Sequence, residues 1–108
     1  MLQKINRLTK KKDFESIFKS GKGKKEKFLI LRFKKNDLPE SRFAFVVSLK
    51  VSKKAVIRNK IRRRLSEAVR LDLDKIKKGH DFVFVALPGI ENQSYEEIKK
   101  NVLKCLAQ

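Results

Sequence analysis

Acidic residues are scarce in this chain, and cysteine, histidine, proline and glycine are scarcer still. The single cysteine, Cys105, excludes an internal disulfide framework and fits a reducing compartment. With two prolines and four glycines, no Gly/Ser/Pro-rich linker divides the 108 residues, and no internal repeat is present. That length suits one compact domain and is too short for two. No segment approaches the roughly 20 consecutive apolar residues that span a bilayer. The start, MLQKINRLTKKKDF, lacks an apolar run of signal-peptide length, so the expectation is a cytoplasmic protein with no membrane partner. Catalytic groups are equally thin. Asp13, Asp37, Asp72, Asp74 and Asp81 are scattered and form no metal-holding or acid/base motif. His80 stands alone at a strand start and reads as an ordinary loop or surface residue, and Cys105 reads as packing. KSGKGKK lacks the Gly-xxxx-Gly-Lys-Ser/Thr order of a phosphate loop. Zinc-finger spacing, heptads and a helix-turn-helix pair are all missing.

What the chain has in excess is positive charge: 29 Lys and Arg against 12 Asp and Glu, a formal net charge of +17. No fold requires that imbalance. It predicts strong, salt-sensitive attraction to a polyanion. Apolar residues make up 41%, enough for a real core, and their spacing predicts the elements. In KKDFESIFK, residues 11–19, Phe14, Ile17 and Phe18 form one stripe of a short helix stopped by Gly21 and Gly23. Lys22 to Lys27 reads as a basic loop. FLILRF, residues 28–33, and RFAFVVSL, residues 42–49, read as strands joined by the turn-forming KNDLPES, and as an antiparallel pair. DFVFVAL, residues 81–87, is apolar on both faces and belongs in the middle of a sheet. Ser94 opens the last helix with a capping box to Glu97, and Tyr95, Ile98, Val102 and Leu106 form its buried stripe. Helix, strands, helix, strand, helix is an α+β or α/β order with helices packed on a small sheet.

The densest charge lies in KKAVIRNKIRRRL, residues 53–65, within a helix predicted over residues 53–70 with Ser52 as N-cap. At about 100° per residue, Ile57, Ile61, Leu65, Ala68 and Val69 share the inner sector. Asn59, Arg62, Arg63, Ser66 and Arg70 face outward, with Arg58 on one flank and Lys60 and Arg64 on the other. Only Glu67 is near enough to pair the run, and the excess is mainly arginine, whose planar fork grips phosphate. A membrane-surface helix needs its apolar face free, and here that face serves the core, so nucleic acid is the preferred partner. Charge alone does not separate DNA from RNA, and a purely structural RNA-binding protein shares these features. The phenylalanines at 28, 33, 43, 45, 82 and 84 are candidates for stacking on unpaired bases, although most are expected in the core.

The run Arg58-Asn59-Lys60-Ile61-Arg62-Arg63 with Glu67 and Arg70 resembles the signature of the bacterial ribonuclease P protein family. VSLKVSKKAV is similar to that family's strand-to-helix junction, RLTKKKDFESIFKSG to its first helix, and DFVFVALPG and SYEEIKKNV follow in order. The chain departs from the pattern at Lys60 and Ser66, where arginine is usual, and at Ser52-Lys53-Lys54, where many members have a glycine. The resemblance implies a sheet of about four strands packed by three helices, with a left-handed βαβ crossover shared with a ribosomal-protein domain. It implies a monomeric protein subunit of an endoribonuclease that removes the 5′ leader of precursor tRNA, with the chemistry supplied by the catalytic RNA and Mg2+ held mainly by that RNA. It implies RNA contacts by Lys53, Lys54, Arg58, Asn59, Lys60, Arg62, Arg63 and Arg70. It further implies a cleft between the central helix and the sheet that holds the leader, lined by Phe14, Phe18 and a strand aromatic, Phe28 or Phe33.

Overall fold

The computed structural model describes residues 2–107. Helix α1 spans Lys11–Ser20, strand β1 Lys22–Glu26, β2 Leu29–Lys35, β3 Arg42–Val46, helix α2 Ala55–Leu71, β4 His80–Ala86 and helix α3 Tyr95–Leu106. Short 3-10 turns occupy Lys4–Asn6, Leu73–Lys75 and Ile90–Asn92. The four strands form one mixed sheet in the order β1-β2-β4-β3, which makes the architecture α+β. β1 and β4 both run antiparallel to β2, while β3 runs parallel to β4 with α2 as the crossover.

Two expectations fail here. β2 and β3 do not pair, because β4 lies between them. β4 is apolar on both faces and is the strand with most to gain from an interior place. The six residues 36–41 step across it. Asn36 Oδ1 accepts from the Leu38 amide at 2.8 Å, and Asp37 takes a left-handed φ of 61°. The basic loop at 22–27 is instead mostly strand β1. Its ladder to β2 uses backbone groups, so its lysines stay in water as an edge strand tolerates.

Alternation along the strands divides the core in two. Leu29, Leu31, Phe43, Phe82 and Phe84 face α2 and α3, where they meet Ile61, Leu65, Ala68, Val69, Ile98, Val102 and Cys105. The opposite face has a smaller cluster: Ala44 and Val83 pack with Leu8 and with Ile17 of α1, and Phe14 and Val85 lie half-buried beside them. The inner sector of α2 is as the wheel predicts, but the helix begins at Ala55. Ser52 Oγ accepts from the Lys54 amide at 3.2 Å, forming a turn just before the helix in place of a cap on it. On α3, Ser94 Oγ does cap, accepting from the Glu97 amide at 3.2 Å.

Candidate nucleic-acid interface

The burial of Ile61, Leu65, Ala68 and Val69 fixes the rotation of α2, and that rotation turns its cations outward. Lys53, Lys54, Asn59, Lys60, Arg63 and Arg70 are exposed, and Arg58 and Arg62 are half-buried. The two half-buried arginines are braced rather than neutralised. Arg58 donates to the Ser52 carbonyl at 3.0 Å, and Arg62 donates to the Val47 carbonyl at 3.3 Å and to Asn59 Oδ1 at 2.6 Å. Arg64, on the flank, donates to the Gln93 carbonyl at 3.2 Å. With Asn59 Oδ1 engaged, its amide NH2 remains to donate to an acceptor outside the protein.

Among the described residues, Lys53, Lys54, Arg58, Lys60, Arg62 and Arg63 have no carboxylate partner. Arg70 differs: it is paired with Glu67 through two hydrogen bonds, one of 3.1 Å from Nε. The Glu67 carboxyl is held below its usual range by that hydrogen bond, and Arg70 is held above its own for the same reason. Of the eight residues expected to meet RNA, Arg70 is therefore the one whose charge is already answered.

Core side chains fill the space between α2 and the middle of the sheet, and a cleft between the helix and the sheet opens at the β3 edge. It is an open groove of about 320 Å3 where α2, the outer edge of β3, the N-terminal segment and α1 come together. Leu8, Thr9, Phe14, Phe45, Arg62 and Arg63 line it, which brings the α2 arginines and Phe14 to one hollow. Phe18 is 46% exposed on the same helix as Phe14. Phe28 does not join them. It packs against the main core on the other side of the sheet, in the turn before β2, where its ring fills the space beside Gly89. Phe33 also packs against the main core.

The α1 side of the sheet therefore offers no strand phenylalanine. It offers a row set by register: Lys25 opposite Ile30, Ile30 opposite Val85, and Val85 opposite Val46. Directly opposed residues share a face, so this row crosses all four strands beside α1. Ile30 and Val85 are half-buried, and Lys25 and Val46 exposed. Sequence reasoning missed these residues, although alternation opposite the core phenylalanines could have found them.

Among the described residues, no three of His, Cys, Asp and Glu come together to hold a metal ion. His80 stacks on Phe82 with ring centroids 5.9 Å apart, and the Cys105 thiol, buried in the core, is pushed up to about 11 by desolvation. Neither faces the groove. No helix among the described residues is long and apolar enough to cross a membrane.

The sequence profile of the ribonuclease P family matches residues 2–108. The ribonuclease P protein component of Alkaliphilus oremlandii is 39% identical over 105 residues, covering 97% of this chain and 91% of that protein. The component from Clostridioides difficile is 40% identical over 96 residues, covering 88% and 83%. Among solved structures, a ribonuclease P protein from Thermotoga maritima superposes with a TM-score of 0.87 at 32% identity, over 93% of this chain and 96% of that one. A Staphylococcus aureus ribonuclease P protein, 24% identical and covering 94% and 92%, shares the fold with a TM-score of 0.86.

Proposed function

The chain belongs to the ribonuclease P protein family, and we propose that it serves that tRNA-processing enzyme as an electrostatic and shape-bearing subunit. In this reading α2 docks on the catalytic RNA, and the surface beside α1 receives the single-stranded 5′ leader of precursor tRNA. The observation that carries it is the set of six cations on and before α2 with no carboxylate partner among the described residues, two of them braced by backbone carbonyls. Such pre-positioned guanidinium groups lose little freedom when they meet phosphate. Asn59 adds a donor for a base edge or a phosphate.

The leader surface comprises Phe14 and Phe18 together with the Lys25–Ile30–Val85–Val46 row. Phe14 and Phe18 offer rings for stacking, worth about 1–3 kcal/mol per stacked base. The aliphatic row offers apolar packing that is indifferent to base identity. Bound there, the leader raises the affinity of precursor over mature tRNA. In this reading both the hydrolysis and the magnesium belong to the RNA. The protein's work is to neutralise, orient and hold.

Reconstitution tests it. Added to ribonuclease P RNA at low magnesium, the protein is expected to stimulate cleavage of precursor tRNA. Arg62→Ala with Arg63→Ala should weaken binding to the catalytic RNA and reduce the slope of log K against log salt by about two, close to one per lost phosphate contact. An unchanged slope places the RNA site elsewhere.

A further inference from the structure

Helix α1 rests on the sheet through a thin apolar contact. Ile17 is fully buried and Phe14 half-buried against Leu8, Ala44, Val83 and Val85. Polar contacts do the rest, and all have the same direction: the sheet donates and α1 accepts. Arg32 Nη2 donates to the carbonyls of Phe18 at 2.9 Å and Gly21 at 3.2 Å, and Lys34 Nζ donates to Ser16 Oγ at 2.6 Å. At the first turn, Arg42 Nη1 meets Asp13 Oδ2 at 3.3 Å.

The last contact differs because Arg42 is itself held from its other side. Its Nε and Nη2 hold both oxygens of Asp81, at 2.8 and 2.7 Å, and Asn36 Nδ2 donates to the same carboxylate at 2.8 Å. Arg42 is thus a fixed post on β3, and Asp13 is hooked to it. The next residue along α1 is Phe14, which lines the groove with Arg62 and Arg63. We propose that the Asp13–Arg42 contact sets where the Phe14 ring stands in that groove, making Asp13 a positioning residue for leader-bearing substrate. This rests on the leader reading above.

The separation of roles gives a clean test. Asp13→Asn breaks the hook and leaves the buried Arg42–Asp81 pair in place. Glu15→Gln removes the same charge from the same helix, at an exposed residue with no ion-pair partner among the described residues. In the reconstituted enzyme, Asp13→Asn should lower the ratio of precursor to mature tRNA affinity about 3- to 10-fold. Binding of protein to catalytic RNA should stay within twofold, and Glu15→Gln should change neither. Combined with Phe14→Ala, Asp13→Asn should add little, because both act through one ring. Hydrogen exchange should quicken at the α1 amides and not at those of β4. The two ideas fail separately. If Phe14→Ala leaves the precursor-to-mature ratio unchanged, the leader reading is wrong. If Phe14→Ala lowers the ratio while Asp13→Asn does not, or while Glu15→Gln lowers it equally, the positioning role is wrong. Unaltered exchange in α1 of Asp13→Asn overturns the hook itself, whatever the substrate does.

Discussion

Arg42 grips both oxygens of Asp81, and Asp81 has 6% of its surface in water. A carboxylate so placed is tolerable only while it is paired. Arg42→Ala should therefore cost about 3–5 kcal/mol, read as a lower urea midpoint of the isolated protein. Arg63→Ala, at an exposed position with no carboxylate partner among the described residues, should stay within about 0.5 kcal/mol. Equal losses would mean that the buried pair contributes nothing special. Arg42 itself adds no pH sensitivity near neutrality. Hydrogen bonding to Asp81 raises the Arg42 pKa, so its contribution is complete below the ordinary arginine value and is lost only at higher pH.

At the scale of elements, the junction of α1 with β1 is the most sharply constrained. Gly21 ends the helix with an ordinary φ of −79°, so space rather than backbone freedom requires glycine there. A Cβ at this position would lie 2.8 Å from the Phe33 carbonyl oxygen and closer still to that of Ile17. Gly21→Ala should push α1 off β2 and cost about 1–3 kcal/mol, measurable by thermal unfolding, with catalytic-RNA affinity unchanged. Stabilisation by the alanine would show that the approach is not tight. The sequence marked Gly21 as a helix stop, which is correct but not the reason it matters. Elements with a strong period and their own punctuation were legible: α2 from its inner sector, α3 from Ser94 and Glu97, and β4 from its run of apolar residues. β1 was not, because a strand of lysines carries no alternation to read. The pairing of β2 was hidden for another reason: its neighbour lies about 45 residues downstream, and no local pattern reports it. The outward cations of the candidate site were legible on the wheel. The face of Phe28 was not, since it precedes the ladder at a turn where Lys27 has a φ of 20°.

For the whole molecule, the excess charge dominates. A formal +17 on 108 residues repels itself in the folded state more than in an expanded one. Multivalent anions should relieve this. Sulfate at tenths of a molar should raise Tm by about 5 °C relative to the same ionic strength of chloride. A sulfate effect no larger than that of chloride would assign the gain to simple screening.

The position of β4 also bears on how the chain is made. Emerging N-terminus first, β2 and β3 leave the ribosome long before the strand that joins them, and each waits with an inner edge open. During that interval the nascent chain exposes apolar strand surface that could pair with a neighbour. The lysines of β1 line the other edge of β2, so like-charge repulsion guards that edge and leaves the inner one open until β4 is made.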